Sequence, residues 1–188
     1  MEKKKKAAAR QKRAQAPDVA VVMGSDSDLK SMTACFETLD SFGVSYEAHI
    51  ASAHRTHDYV KRIVTTFDNN GGKVMIAAAG AAAHLPGVVA ALTNLPVIGV
   101  PMESKMLGLD SLLSIAQMPA GMPVATVAVG GCKNAALLAV QILALGRPEL
   151  ASRYSRFRAQ QAEAVIKKSE RLRTSGYRNY FSEGGSTR

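Results

Sequence analysis

The sequence predicts an α/β fold in which a parallel five-stranded sheet carries helices on both faces. Short apolar, partly β-branched runs alternate with longer amphipathic segments along most of the 188 residues. Continuous apolar runs of this length are typical of parallel strands that are buried on both faces. The alternation continues without an internal repeat or a linker, so we expect a single domain.

Five segments have the character of strands. The first, 19–24, is apolar and ends at a glycine, as a buried parallel strand would. The second alternates apolar and other residues from Val44 through Ile50. The predicted strands are 19–24, 44–52, 73–80, 95–101 and 123–130.

Helical periodicity fills the intervals between these strands. The helix at 134–145 is apolar nearly all round, so we expect it to be buried. The last helix has an apolar stripe that includes Leu150, Tyr154 and Phe157 beside several arginines, which suits a helix lying across its own domain or a neighbouring subunit. We therefore expect a homo-oligomer. The predicted helices are about 29–42, 56–69, a short one near Pro86, 108–119, 134–145 and 149–173.

The net charge of +9 belongs to the two ends of the chain. Residues 1–13 and residues 151–188 each carry six more bases than acids, whereas residues 14–150 carry three more acids than bases. A nucleic-acid-binding interpretation therefore rests on the ends alone, and these lack interleaved aromatic residues and any known motif. We expect no nucleic-acid partner.

We expect a solvated, disordered tail over 1–17, one domain over 18–173 and a flexible tail over 174–188. No apolar run approaches the roughly 20 residues that cross a bilayer, and the basic N-terminus lacks the apolar middle of a secretory signal. A cytoplasmic protein without a membrane partner is the expectation. Cys35 and Cys132 have no metal-ligand or disulfide pattern around them, so we expect plain thiols and no metal site.

Polar or small segments follow three of the predicted strands, at 24–28, 52–56 and 80–87. Open parallel sheets bind ligands beyond the carboxyl ends of their strands, which all meet at one edge. The three segments supply hydroxyls, carboxylates, an arginine, two histidines and a small-residue loop. We therefore expect one pocket built from all three.

Two interpretations of the segment GSDSD at 24–28 stay open. Ser27 or Asp28 could be the N-cap of the following helix. Alternatively, backbone amides and the hydroxyls of Ser25 and Ser27 form an anion site at a helix N-terminus. Asp28 would repel a phosphate and fits ribose hydroxyls better, as a hydrogen-bond acceptor. The segment matches neither the dinucleotide fingerprint nor the P-loop.

In SAHRT at 52–56, the alternatives are an exposed helix start capped by Thr56 and a functional loop. Arg55 is a planar, bidentate partner for a phosphate. A histidine can give and take a proton near neutral pH, so we favour His54 as the catalytic group. His49 lies on a strand and is expected to be structural, and His57 is expected to be exposed.

The segment GAAAHLPG at 80–87 could be only a tight turn packed against a helix. A wall of small residues also lets the backbone approach a ligand closely. His84, next to Leu85, would then face a narrow apolar pocket that suits a small neutral species such as carbon dioxide.

Together these segments resemble the N5-carboxyaminoimidazole ribonucleotide mutases of de novo purine synthesis, over about residues 18–165. The resemblance implies a flavodoxin-like three-layer αβα sandwich with a long C-terminal helix, and a homo-octamer whose active sites neighbouring subunits complete. It also implies no metal and no organic cofactor. The blocks that carry it, in order, are VVMGSDSD, SAHRT, AAAGAAAHLPG, GLDSLLSIAQMPAGMPVATVAVG and NAALLAVQILA.

The resemblance implies an isomerase that moves a carboxylate from the exocyclic nitrogen of an imidazole nucleotide to its ring carbon 4. His54 would act as general acid and then general base, Asp28 would contact ribose, and Ser25 and Arg55 would lie near the phosphate. An ATP-dependent carboxyaminoimidazole ribonucleotide synthase would be the functional partner. The remaining expected members of the substrate pocket are Ser27, Ser52, Gly80, Ala81, Ala82, His84 and Leu85.

The chain departs from the family pattern at four positions. Leu29 stands where the family commonly has tryptophan, and His57 where it has proline. Ala78 and Ala81 stand at two places that are usually glycine, and an added methyl group there would narrow the pocket.

Three other functions remain open on the sequence. The HLPG histidine favours the mutase over the related enzymes that carboxylate aminoimidazole ribonucleotide directly with carbon dioxide. A non-catalytic nucleotide-binding module is the alternative from another class, and a nucleic-acid binder that uses its basic tails is the third.

Overall fold

Five parallel strands form the centre of the molecule, in the spatial order β2-β1-β3-β4-β5. The computed structural model describes residues 17–181. All but the last residue of the predicted N-terminal tail, and residues 182–188, lie outside this range. The strands are β1 Val19–Met23, β2 Tyr46–Ile50, β3 Val74–Ala79, β4 Val97–Pro101 and β5 Ala125–Thr126.

Within residues 17–181, six α-helices connect and follow these strands, and a single 3-10 turn, Asp26–Asp28, precedes the first helix. The strand order is the one found in flavodoxin-like folds, so the predicted fold class is confirmed. The helices are α1 Leu29–Ser41, α2 His57–Asn69, α3 Leu85–Ala90, α4 Leu109–Ala116, α5 Cys132–Ala144 and α6 Pro148–Asn179.

Alternate residues of the central strands point into two separate cores, which makes three layers. Val21 and Ile76 face the core formed with α1 and α5. Val22 and Met75 face the core formed with α2, α3 and α4. Every residue of β1, β3 and β4 is buried, as the continuous apolar runs predict.

The fifth strand is much shorter than predicted, with two residues instead of eight. It lies at the edge of the sheet and pairs only with β4. Beyond it, the amide of Val127 donates to the carbonyl of Gly99 at 3.1 Å and that of Gly130 to Pro101 at 2.9 Å, so the chain follows β4 without a continuous ladder. At Gly130 the backbone turns with φ +67°, which glycine tolerates, and leads into α5.

The last helix begins as predicted but continues beyond 173 to Asn179, so the predicted boundary is too early. Gly176, at φ +69° and ψ 161°, interrupts the helix. The Arg171 guanidinium donates to the carbonyl of Tyr180 and lies 4.8 Å from the centre of its ring, which holds the last turn. After Phe157, α6 is mostly exposed.

An ion pair joins the start of β1 to the start of α6. Arg147 binds the Asp18 carboxylate with both terminal nitrogens, one of them at 2.7 Å. Ser45 supports the same carboxylate with its hydroxyl, at 3.2 Å. The pair fixes α6 to the amino end of the sheet, opposite the edge at which the site lies.

None of the helices described here is long and apolar enough to pass through a membrane.

Candidate functional site

A cavity of about 780 Å³ lies at the carboxyl ends of β1, β2, β3 and β4. Four loops form it, called here L1 (24–28), L2 (52–56), L3 (80–84) and L4 (102–108). The predicted convergence of three loops is therefore found, with a fourth beside them. The lining residues are Gly24, Ser25, Ser27, Asp28, Ser52, Ala53, His54, Arg55, Ala79, Gly80, Ala81, Ala82, Leu85, Glu103, Ser104, Lys105, Met106 and Asp110.

Two histidines from different loops meet at this cavity. Nε2 of His54 lies 2.8 Å from Nδ1 of His84, and the two rings are edge-to-face with centroids 5.0 Å apart. A hydrogen bond between two imidazole nitrogens needs one ring to donate and the other to accept. Both side chains are exposed, so a ligand can reach the pair.

L1 is both a cap and a polar surface of the cavity. The Ser25 hydroxyl accepts from the amide of Ser27 at 3.3 Å, and the amide of Ser25 donates to the Asp28 carboxylate at 3.2 Å. This reciprocal arrangement is a capping box around the 3-10 turn. Ser25 is thus the N-cap of the 3-10 turn, and Asp28 occupies the N-cap position of α1 without a side-chain hydrogen bond into that helix. Burial raises the pKa of Asp28, and the negative charge of Asp26 acts in the same direction.

L2 is closed by Thr56 and Ser52. The Thr56 hydroxyl donates to the Ser52 carbonyl at 3.0 Å and accepts from the Ser52 amide at 2.9 Å. It makes no hydrogen bond into α2, so Thr56 shapes the loop instead of capping the helix. The Ser52 hydroxyl accepts from the amide of Arg55 at 3.3 Å and from its guanidinium Nε at 3.5 Å, which holds the exposed guanidinium beside the cavity.

L3 has a tight backbone built around Ala81, which has a left-handed φ of +54°. Carbonyls two residues back accept from the amides of Ala83 and His84, both at 2.8 Å. The Ala81 amide donates to the hydroxyl of Ser111 in α4, also at 2.8 Å. Glycine adopts a left-handed conformation freely, whereas an L-residue with a Cβ adopts it only at a cost.

L4 was not among the predicted site segments. It follows β4, and it contributes Glu103, Ser104, Lys105 and Met106 to the cavity. Ser104 donates to the Asp110 carboxylate and accepts from the amides of Met106 and Gly108, both at 3.1 Å. L1, L2 and L3 were predicted because ligands bind beyond the carboxyl ends of parallel strands. The same argument applies to the predicted strand at 95–101 and could have indicated L4.

All the predicted site residues except His84 line the cavity itself, and His84 reaches it through His54. Of the four departures from the family pattern, only Ala81 lines the cavity. Ala78 is fully buried and points into the core with α1 and α5, so its methyl group does not narrow the pocket. Leu29 and His57 are exposed at the starts of α1 and α2.

The remaining titratable side chains of interest lie away from the cavity. His49 pairs with Glu47 at 3.1 Å on β2, in keeping with a structural role. Cys35 and Cys132 are buried free thiols, and burial raises the pKa of Cys35 to about 12. Within 17–181, no three His, Cys, Asp or Glu side chains cluster in a way that could hold a metal ion.

Comparison with known proteins agrees with the fold and the motifs. The AIR carboxylase family model matches residues 18–164. The N5-carboxyaminoimidazole ribonucleotide mutase of Thermotoga maritima is 48% identical over 168 residues, which cover 89% of this chain and 98% of the relative. The mutase of Saccharolobus solfataricus is 54% identical over 151 residues, 80% of this chain and 96% of the relative.

Among solved structures, the crystal structure of Treponema denticola PurE superimposes with a TM-score of 0.76 at 30% identity, covering 82% of this chain and 97% of that one. The carboxyl edge of this flavodoxin-like sheet carries the histidine pair and the four loops of the cavity. The chain belongs to the AIR carboxylase family.

Proposed function

We propose that this protein is an isomerase of purine (IMP) biosynthesis that converts N5-carboxyaminoimidazole ribonucleotide to 4-carboxy-5-aminoimidazole ribonucleotide. The observation that carries the proposal is the position of His54. It lies in one cavity with an arginine, a carboxylate and serine hydroxyls on one side and a wall of small residues on the other. Two relatives about half identical to this chain are named as mutases of this kind.

The proposed reaction needs one group that first gives and then takes a proton. Protonated His54 donates its proton to the exocyclic nitrogen while the carbon–nitrogen bond breaks and carbon dioxide leaves. Ring carbon 4 then attacks the carbon dioxide and forms the new carbon–carbon bond. Neutral His54 removes the proton from carbon 4, which restores the aromatic ring and returns the histidine to its starting state.

Retention of carbon dioxide is the second requirement, because the recarboxylation step must compete with escape into water. Gly80, Ala81 and Ala82 present only backbone and methyl groups to the cavity next to His54. A wall of this kind lets a small neutral molecule lie close to the ring. Holding carbon dioxide next to the imidazole ring would supply the rate enhancement that general acid–base catalysis does not supply.

The nucleotide would lie with its phosphate toward L1 and L2. Arg55 supplies the positive charge there, and Ser25, Ser27 and Ser52 supply hydroxyls. Asp28 would accept hydrogen bonds from the ribose. In this orientation the imidazole ring points to the His54–His84 pair and to L3.

The proposal extends to the assembly and to the surroundings. We expect a homo-octamer in which neighbouring subunits complete the cavity, because its mouth is open and His54 and Arg55 are exposed in the single chain. Large apolar side chains near the mouth are exposed as well, including Leu107 at 88% and Met106 at 61%. An ATP-dependent carboxyaminoimidazole ribonucleotide synthase would supply the substrate in the cytoplasm, and no organic cofactor takes part in the proposed reaction.

The test is an absorbance assay with two substrates. N5-carboxyaminoimidazole ribonucleotide is generated in situ in one reaction, and aminoimidazole ribonucleotide with bicarbonate is supplied in the other. Fast conversion only in the first supports the proposal, whereas comparable rates in both at physiological bicarbonate would indicate direct carboxylation. Ligand binding without turnover in either would leave a nucleotide-binding protein and contradict the proposal.

A further inference from the structure

Ser111 is a fully buried polar residue outside the cavity lining, yet it contacts a loop that forms the cavity. Its side chain is 0% exposed, and its Oγ accepts a hydrogen bond of 2.8 Å from the amide of Ala81, which lies 30 residues earlier. Burying a hydroxyl is unfavourable unless its hydrogen bonds are made. The contact therefore joins α4 to L3 at a defined point.

The other side of Ser111 is tied to L4 through Asp110. The Asp110 carboxylate accepts from the Ser104 hydroxyl and from the amide of Ser111, the latter at 2.9 Å. The hydrogen bond from the Ser104 hydroxyl lowers the pKa of Asp110 more than any other contact does. The Ser111 side chain lowers this pKa as well. Because Ser104 also accepts from two L4 amides, the chain Ser104–Asp110–Ser111 connects L4 to L3.

The residue that receives this support is strained. Ala81 has a φ of +54°, a conformation that an L-residue with a Cβ adopts only at an energetic cost, and such residues persist where the surroundings hold them. The turn that starts at Ala81 continues through the amide of His84, which donates to the carbonyl of Ala82 at 2.8 Å. The direction in which His84 meets His54 therefore depends on the conformation of Ala81.

We propose that Ser111 is a positioning residue, whose hydroxyl holds the strained Ala81 backbone and thereby fixes L3 and the His54–His84 contact. The inference rests on the proposed function, since it concerns the same site. It concerns the reacting end of the substrate, because Ser111 makes no hydrogen bond to L1 or L2, the loops that would bind the phosphate and ribose. Ser111 therefore acts on turnover and not on nucleotide affinity.

The first experiment compares Ser111→Ala with Ser114→Ala. Ser114 lies one helical turn further along α4, and its hydroxyl donates to the backbone carbonyl of Asp110 at 2.7 Å, within the helix. Loss of one hydrogen bond of this kind typically corresponds to a factor of roughly two to ten. We expect Ser111→Ala to lower kcat about fivefold to tenfold, with the dissociation constant of aminoimidazole ribonucleotide unchanged, and Ser114→Ala to retain the wild-type values. A folded Ser111→Ala variant with wild-type kcat, or one that loses nucleotide affinity instead, would overturn the inference.

The second experiment uses the strain at Ala81. The Ala81→Gly substitution removes the Cβ that makes the left-handed conformation costly, so L3 then needs the hydroxyl less. In that background we expect Ser111→Ala to lower kcat less than about twofold. The two substitutions form a double-mutant cycle, and the smaller loss of kcat would show that Ser111 and Ala81 are coupled. An equal loss of kcat in both backgrounds would show that Ser111 does not act through Ala81.

Hydrogen exchange separates the failure of this inference from the failure of the proposed function. The amides of residues 80–84 should exchange about tenfold faster in Ser111→Ala than in wild type or Ser114→Ala, whether or not any turnover is seen. If the wild-type protein were inactive but Ser111→Ala still exchanged these amides faster, the proposed reaction would be contradicted. The positioning role of Ser111 would then still be supported. Unchanged exchange in Ser111→Ala would overturn the positioning role in an active enzyme.

Discussion

The contact between His54 and His84 is central at the scale of single residues. The two nitrogens lie 2.8 Å apart, so one ring donates a hydrogen bond and the other accepts it. A substrate nitrogen that replaces His84 as the partner of His54 would take over this contact. The second ring therefore orients the first before the substrate arrives.

Replacing His54 with Asn should lower kcat by about 10²–10⁴-fold, because the proposed general acid and base is removed. The side chain is exposed, so the fold should be unaffected, which circular dichroism and thermal unfolding would check. His57→Asn is the matched control, since His57 is also exposed and starts α2 outside the cavity lining. Full activity in the His54→Asn variant would contradict the mechanism.

Asp28→Asn should affect stability and binding in opposite directions. Burial raises the pKa of Asp28 in the folded protein, so folding favours the neutral carboxyl group. The stability that this group contributes is therefore fully present at a pH below the ordinary carboxyl pKa. It is lost as the pH rises through the raised pKa. The variant should therefore be more stable than wild type at pH 7, by up to about 1 kcal/mol since the group is half-buried, with the difference vanishing toward acidic pH. Urea unfolding at several pH values measures this.

The same variant should raise KM about tenfold, because a charged acceptor for the ribose is lost. The amide oxygen can still accept from Ser25, which keeps the capping box. A variant that is less stable at pH 7, with unchanged KM, would mean that Asp28 serves only the cap.

The candidate site residues were largely predictable because titratable and small residues follow strands that end at one edge. The side chains of His54, Arg55 and Asp28 are titratable or charged, so their residue type alone marks them as candidates. Ser111 and the left-handed Ala81 are not marked in this way, because a buried serine within an apolar helix and an alanine in a small-residue loop show no pattern of their own. Their importance arises from a contact across 30 residues.

At the scale of elements, the Asp18–Arg147 pair links β1 to α6 across 129 residues of sequence. The hydrogen bonds from Arg147 are the largest cause that lowers the pKa of Asp18. A lowered carboxyl pKa contributes stability above the ordinary value, and this stability is lost as the pH falls through the lowered value. The pair thus stabilises the fold at neutral pH.

Arg147→Ala should lower the free energy of unfolding by about 1–2 kcal/mol at pH 7, with a smaller difference from wild type in acid. The exposed pair Lys167–Glu163, at 2.7 Å on α6, provides the comparison. Lys167→Ala should change the free energy by less than about 0.5 kcal/mol at any pH. Equal effects of the two substitutions, measured by urea unfolding, would argue against a special role for the Asp18 pair.

Most elements could be predicted since their apolar periods match the core that they face. Two boundaries could not. β5 is short because after Thr126 the chain makes only separate hydrogen bonds to β4, from Val127 and Gly130, and the run of apolar residues at 123–130 does not reveal this. α6 extends past 173 because Arg171 binds the carbonyl of Tyr180 beyond the break at Gly176, which helical periodicity does not reveal.

At the scale of the whole molecule, exposed apolar side chains continue from L4 along α4, with Leu109 at 52% and Leu113 at 47%. Apolar surface of this kind next to an open cavity fits contact with another copy of the chain. We expect the protein to sediment as a homo-oligomer, with an octamer of 19.9 kDa chains as the expected species. Leu113→Glu should shift it to smaller species with lower activity per chain. A fully active species of 19.9 kDa in analytical ultracentrifugation would contradict this expectation.

The position of the cavity along the chain has a consequence for synthesis on the ribosome. Every lining residue lies in the segment from Gly24 to Asp110, whereas α5, which covers one face of the sheet together with α1, begins at Cys132. The loops of the site therefore leave the ribosome before the layer that buries Val21 and Ile76 is complete. A nascent chain that ends between these points carries every residue of the cavity lining, but one face of its sheet is covered only by α1, so chaperone protection would matter most in that interval.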